Sequence, residues 1–286
     1  MIGAVEAGGT KIVCAVGTSP DNLVEERFPT TTPEETIGRI RSFFEAQQKD
    51  RGEKLNAIGI GTFGPADIDP ASATFGRITT TPKEGWQNAD FAGPLRDAFQ
   101  VPVAFDTDVN AAAVGEGKWG AAKGLSDYIY ITIGTGIGGG VVSGGNVVHG
   151  RMHPEIGHLL IPHDRAADPF AGSCPYHGDC LEGLASGPAI GKRWNVDGAH
   201  LLPDDHEAWT LQAEYLALAC VNLTVSLSPQ CIILGGGVME QTQLFPMIEE
   251  RVTRVLNGYL EAPAIVPPGL GNKAGILGAF ALAASS

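Results

Sequence analysis

Two segments of this 286-residue chain follow one plan. Residues 2–16 read IGAVEAGGTKIVCAV, and residues 128–145 read YIYITIGTGIGGGVVSGG. Each has β-branched, aromatic or small apolar residues on both sides of a glycine-rich turn, the pattern of strand, turn, strand. The two copies start over 120 residues apart. A repeat at that distance predicts a duplicated architecture, with one glycine unit opening each half of the molecule.

The rest of the chain alternates strands with helices. Pro33–Gln48 reads as a helix, with Thr32 as N-cap and Ile37, Ile40, Phe43 and Phe44 on one face. LNAIGIGTFGP (55–65) reads as a buried strand running into a turn, and VPVAFDTDVN (101–110) as a strand whose end is rich in carboxylates. Further on, Glu207–Ser226, Thr242–Asn257 and Gly275–Ala284 read as helices, and QCIILGGGVME (230–240) as a strand with a glycine turn. This alternation predicts an α/β fold, in which sites lie beyond the carboxyl ends of the strands.

Three glycine turns occupy such ends: GGTK (8–11), GTGIGGG (134–140) and GGGV (235–238). Glycine lets backbone N–H groups approach an anion closely, so turns of this kind form phosphate cradles. Lys11 and the hydroxyls of Thr10 and Thr135 add charge and hydrogen bonds. No Walker A pattern is present, and GTGIGG runs on into a strand instead of a helix, unlike a dinucleotide fingerprint. Any single turn reads equally as a tight hairpin; three of them, one with a lysine, point to a nucleotide cleft.

In DTDVN (106–110), alternation along an extended segment places Asp106 and Asp108 on one side, facing a crevice. A carboxylate there can take the proton from an alcohol attacking phosphorus. The competing reading is that Asp108 caps the next helix.

The stretch SCPYHGDCLE (173–182) has metal-ligand spacing in Cys174, His177 and Cys180. A structural zinc takes four ligands, and the upstream histidines, HPEIGH (153–158) above all, offer a fourth. Cys14, Cys220 and Cys231 lie in apolar runs and read as core. Five cysteines, with no signal-peptide pattern at the start, argue against a disulfide scaffold and for a cytoplasmic protein. A formal charge of −13 without a Lys/Arg-rich run argues against nucleic acid as a partner. No apolar run has the length of a membrane span.

Together these pieces resemble the ROK family of sugar kinases, in particular its bacterial fructokinase branch, over essentially the whole chain. The family's first phosphate motif D-x-G-G-T-K stands here as Glu6-Ala-Gly8-Gly9-Thr10-Lys11. Asp106-Thr107-Asp108-Val109-Asn110 is similar to its catalytic motif, IGTGIGGG (133–140) to its second phosphate motif, and Glu155-Ile156-Gly157-His158 to its E-x-G-H motif. CPYHGDCLE stands for the family's cysteine motif, with His177 where many members have cysteine. TTPKEGW (80–86) and CLEGLASGP (180–188) are similar to the fructokinase branch.

The resemblance implies a two-lobed actin-like, ribonuclease H-like fold with an interlobe cleft. It implies a small lobe of residues 1–107 completed by a C-terminal helix at 275–286, and a large lobe of 108–274 carrying a zinc loop at 153–182. It implies ATP, with phosphates against 8–11 and Thr135–Gly136 and adenosine near Pro188, Gly235, Gly236, Gly237, Val238 and Met239. The sugar would meet Gly64, Thr107, Asp108, Glu155, His158 and Glu182, with Asp108 as base. Structural Zn²⁺ would be held by His158, Cys174, His177 and Cys180, with His163 as the competing fourth ligand. Mg²⁺ is implied too, with Glu6, in place of the usual Asp, as a candidate for its second shell. The expected activity is transfer of the ATP γ-phosphate to C6 of D-fructose by a homodimer. The alternatives are another hexose (mannose, glucose or an N-acetylhexosamine) or a non-catalytic sugar sensor of the repressor type, though no helix-turn-helix domain stands before the first strand.

Overall fold

The computed structural model of the protein describes residues 1–284. In chain order the strands are β1 (Ile2–Ala7), β2 (Lys11–Gly17), β3 (Val24–Pro29), β4 (Ala57–Thr62), β5 (Val103–Thr107), β6 (Tyr128–Ile133), β7 (Ile137–Ser143), β8 (Asn146–Val147), β9 (Cys231–Gly235) and β10 (Ala264–Val266). The α-helices are α1 (Pro33–Arg51), α2 (Ala92–Phe99), α3 (Asp108–Trp119), α4 (Leu181–Ala185), α5 (Gly187–Trp194), α6 (Ala208–Leu227), α7 (Leu244–Leu256) and α8 (Ala274–Ala284).

Among the described residues the strands make two sheets of the same topology. One runs β3-β2-β1-β4-β5, the other β8-β7-β6-β9-β10. In each, a glycine hairpin and its neighbour pair antiparallel, and two further strands add in parallel. The duplication read from the sequence is thus a duplication of sheet topology. The parallel strands need crossover helices and are buried, which suits their unbroken apolar runs.

The chain divides into two compact units. The first takes 1–120, 149–153 and the chain from 272 onward; the second takes 121–148 and 154–271. The first therefore runs beyond residue 107. Its α3 packs on α8 and β4 through contacts that only small residues allow. A Cβ on Gly278 would collide with the carbonyl of Ala111, and one on Gly59 with that of Ala279. Backbone thus lies against backbone, and the start of α3 is fixed against the sheet. The short stretch 149–153 returns to this unit because His149 Nε2 bonds Asp106 Oδ2 at 2.7 Å and His153 Nε2 accepts the Ala66 N–H at 3.3 Å.

Helix ends follow their end signals. Thr32 Oγ1 accepts the Glu35 N–H, Pro33 opens α1, and Gly52 closes it at φ +65°. The first core gathers Ile40, Phe44, Ile58, Ile60, Trp86, Phe91 and Leu95. The second gathers Ile129, Ile131 and Ile133 of β6 with Trp209 and Leu216 of α6 and Ile248 of α7. Cys14, Cys220 and Cys231 are buried, as their apolar surroundings predict, and burial pushes the Cys220 thiol up to about 12. Among the described residues no helix is long and apolar enough to cross a membrane.

Candidate active site and metal cluster

In the first unit, the turn between β1 and β2 is exposed at Gly9, Thr10 and Lys11. Each of its four carbonyls has a donor. The Gly8 N–H meets the Lys11 carbonyl at 2.9 Å, the Thr30 N–H meets Thr10 at 3.0 Å, and the Thr30 hydroxyl meets Gly8 at 2.7 Å. The fourth, Gly9, accepts from Lys83 Nζ at 2.5 Å. Carbonyls drawn back in this way do not repel an anion at the turn. Beneath it, burial raises the carboxyl of Glu6 above its ordinary value, with Lys11 and Arg27 opposing. Glu6 leans on the start of α8 against Gly275, and its buried Oε2 has no hydrogen-bond partner in the structure.

The DTDVN stretch differs from its sequence reading. Alternation predicts Asp106 and Asp108 on one side of an extended segment, but β5 ends at Thr107 and Asp108 is the first residue of α3. The helix cap is Thr107, whose Oγ1 accepts the Asn110 N–H at 3.2 Å, and not Asp108. The two aspartates thereby take separate tasks. Asp106 is buried; its Oδ1 accepts from Thr107 N and Asn110 Nδ2, and its Oδ2 meets His149. Asp108 is half-buried at the helix N-terminus, with Oδ1 accepting the Val109 N–H at 2.9 Å. There it faces the positive end of the helix dipole. Nearby in the chain fold, the imidazole of His153 lies against Gly64.

In the second unit, the β6–β7 turn is built against helices. The Gly187 N–H at the start of α5 donates to Gly134 O at 2.8 Å, and Ile137 N–H donates to Glu182 Oε2 at 2.9 Å. A Cβ on Gly136 would stand 2.7 Å from that same oxygen. Glu182, expected at the sugar, thus has one carboxylate oxygen on this turn. Gly157 of the E-x-G-H motif lies so close to β7 that a Cβ would strike the Ile137 carbonyl. Its neighbours Glu155 and His158 are exposed and half-buried.

Beside the turn is a cavity of about 870 Å³. Thr135, Pro188, Gly237 and Val238 line it, as expected for a nucleotide, together with Lys192, Asn195 and His200, which no sequence motif marked. Gly235, Gly236 and Met239, expected at the adenosine as well, are not among its lining residues. Gly236 has φ +88°, and a Cβ there would run into the Ile133 carbonyl. The volume falls in the range of small-molecule sites.

His158, Cys174, His177 and Cys180 converge, their ligand atoms all within 4.8 Å of one another. The two Nδ1 atoms are 3.3 Å apart, and the nitrogen–sulfur distances given by three pairs are 3.6–3.8 Å. Tetrahedral zinc with Zn–N of about 2.0–2.1 Å and Zn–S of about 2.3 Å has ligand edges of about 3.3–3.8 Å, so the set fits. A tight loop presents it: Cys174 and Gly178 exchange backbone hydrogen bonds at 3.0 and 3.1 Å, and Gly178 has φ +68°. His163 is elsewhere. Its Nδ1 meets Asp179 Oδ2 at 3.0 Å and its Nε2 the Asp168 carbonyl at 2.9 Å, so both ring nitrogens are engaged. Asp168 in turn meets Arg193 and the Tyr215 hydroxyl. Burial pushes its carboxyl up, but these partners outweigh it and hold the carboxyl below its ordinary value.

The chain is similar to known proteins over almost its whole length. The description ROK family matches residues 2–286. The chain is 48% identical over 289 residues to a fructokinase of Pediococcus pentosaceus, covering 99% of this chain and 97% of the relative. Other bacterial proteins named fructokinase fall at 42–44%. Among solved structures it is similar to a ROK hexokinase from Thermus thermophilus, at TM-score 0.82 and 29% identity over 99% of this chain and 98% of that one. It is also similar to a ROK family glucokinase from Streptomyces griseus in complex with glucose and AMPPNP, at TM-score 0.79 and 25% identity over 99% and 98%.

Proposed function

The chain belongs to the ROK family, and from that premise we propose what it does and how. It is an ATP-dependent sugar kinase, a fructokinase, moving the γ-phosphate of ATP to the C6 hydroxyl of D-fructose. The observation that carries the reading is near-full-length identity to fructokinases, supported by a set of groups suited to phosphoryl transfer. That set is an electropositive glycine turn, a carboxylate at a helix start, and a nucleotide-sized cavity.

The roles follow from the geometry of each unit. In the first, N–H groups of the 8–11 turn, Thr10 and Lys11 bind phosphate and offset charge that builds during transfer. Asp108 accepts the proton of the attacking hydroxyl, and Thr107, buried and already used as the helix cap, borders the sugar beside it. Gly64 lets the chain approach the sugar. In the second unit, Pro188 and the 235–239 turn bound the adenosine cavity, while Glu155, His158 and Glu182 orient the sugar. Glu182 connects that task to the phosphate turn through Ile137.

Two metals belong to the proposal. Mg²⁺ would shield the ATP phosphates, with Glu6 beneath the turn as the candidate for its second shell. Zn²⁺ would be held by His158, Cys174, His177 and Cys180 as a closed structural site without a position for a reacting water. It would fix His158 and, through Cys180, the start of α4 that carries Glu182. The unbridged cysteines support a reducing, cytoplasmic setting. Homodimer formation is part of the same reading.

A coupled ADP-release assay over fructose, mannose, glucose and N-acetylhexosamines, with and without Mg²⁺, tests the proposal. Fructose is expected to give the highest kcat/KM, and only with the cation. Absence of turnover on every hexose sinks the kinase reading, and a higher value for another hexose sinks fructose.

A further inference from the structure

The segment TTPKEGW (80–86) carries one lysine, Lys83. The structure gives Lys83 a defined place. Its Nζ lies 2.5 Å from the carbonyl oxygen of Gly9, at the crest of the first phosphate turn. An ammonium group has three donors, and this bond uses one. The space in front of the crest is open: a Cβ added to Gly9 would meet no atom within 4 Å.

The loop that carries the lysine is anchored through its backbone. The Lys83 N–H bonds Thr81 Oγ1 at 3.3 Å, and its carbonyl accepts the Trp86 N–H at 3.2 Å. Trp86 is fully buried, stacked edge-on against Phe63 and Phe91, and donates Nε1–H to the Thr31 carbonyl at 2.7 Å. The adjacent Thr30 makes two of the hydrogen bonds that hold the glycine turn. Lysine loop and phosphate turn are therefore fastened to the same two residues, which fixes their separation.

We infer that Lys83 is a second catalytic cation of the turn, gripping the phosphoryl group in transfer, as the γ-phosphate of ATP and then as the 6-phosphate of the product sugar. This rests on the kinase reading and adds a residue to it. A fixed cation facing a migrating dianionic group gains most when charge peaks, since a preorganised charge costs no reorganisation during the step. Charge-assisted hydrogen bonds of about 1.5–3 kcal/mol correspond to roughly 10–100-fold in rate or affinity.

The test is Lys83→Met beside Lys83→Arg in the full chain, with kinetics, calorimetry and melting temperature. Wild-type phosphorylation of fructose secures the kinase reading independently. Lys83→Met is expected to lower kcat/KM for ATP roughly 10–100-fold. Affinity for AMPPNP and for fructose 6-phosphate should weaken, while affinity for ADP and for fructose stays within twofold. Lys83→Arg should recover part of the loss. The nucleotide and sugar-phosphate arms separate the two sources of the group. The inference is overturned if kcat/KM for ATP stays within twofold. It is overturned equally if ADP and AMPPNP weaken alike, if fructose affinity falls with the rest, or if the loss tracks a drop in melting temperature. Each of those outcomes makes Lys83 a strap for the turn and nothing more.

Discussion

The two glycine hairpins have the same place in sheets of the same topology, yet they are finished differently. Around the β1–β2 turn the chain assembles cations and hydroxyls, Lys11, Lys83 and Thr30, and leaves the crest exposed. Around the β6–β7 turn it sets a carboxylate and a helix start, Glu182 and Gly187, which brace the turn against α4 and α5. One turn is an electrostatic device and the other a mechanical one. The lesson is that a duplicated backbone supplies two glycine hairpins, and side chains brought from outside them finish each one differently.

The largest expected effect lies on the electrostatic side. Asp108→Asn should cut kcat by roughly 10²–10⁴-fold, the usual contribution of a general base, with fructose affinity preserved. Rapid-quench turnover with parallel sugar titration measures both, and near-normal kcat would remove Asp108 as base and weaken the contrast.

The mechanical side should respond to metal removal. Chelation, confirmed by metal analysis, is expected to raise the fructose KM and lower the melting temperature while ATP affinity holds. Intact sugar affinity in the metal-free protein would show that the cluster does not support Glu182 and His158. In the metal-free chain burial pushes the Cys180 thiol up to about 11, so a bound cation has to displace protons and metal uptake should weaken as pH falls.

A matched pair of substitutions compares the turns directly. Gly136→Ala places a methyl against Glu182 Oε2 and should cost about 1 kcal/mol of stability through the disturbed Ile137 bond. Gly9→Ala meets no neighbour, so it should leave the melting temperature unchanged and raise the KM for ATP. Equal melting shifts for both would erase the distinction.

The smallest effect concerns His149. Its hydrogen bond to Asp106 raises its pKa above the ordinary histidine value, against a lesser opposing effect of burial. A raised folded-state value means that the stabilisation is fully present below about pH 6.5 and lost as pH rises through the folded pKa. The melting-temperature gap between wild type and His149→Gln should therefore be widest near pH 6 and narrow above neutrality. A gap that widens with pH would refute the ion pair. The ring is 44% exposed, so the effect is small.

The duplication, the helix cap at Thr32 and the buried cysteines were legible from the sequence because periodicity and turn chemistry are local, whereas the first helix runs to Arg51 and its Gly52 cap, past the Gln48 end that the sequence pattern predicts. The zinc spacing of Cys174, His177 and Cys180 was legible for the same reason. Spacing alone left the fourth residue open; the family resemblance pointed to His158 with His163 as competitor, and the structure groups His158 with Cys174, His177 and Cys180 while Asp179 and Asp168 engage both His163 nitrogens. The split of Asp106 from Asp108 escaped alternation because the strand gives way to helix between them, with Thr107 capping where Asp108 could have.

The sequence by itself determined which chemical groups the protein owns and the repeated frame they stand on, since glycine turns, strand runs and family motifs are written in consecutive residues. Tertiary structure alone decided which groups meet. Gly9 and Lys83 are 74 positions apart, Asp106 and His149 are 43, and Ile137 and Glu182 are 45. No local preference encodes such pairs; they exist because buried anchors such as Trp86, and glycines such as Gly278 that let backbones touch, bring distant segments to fixed distances.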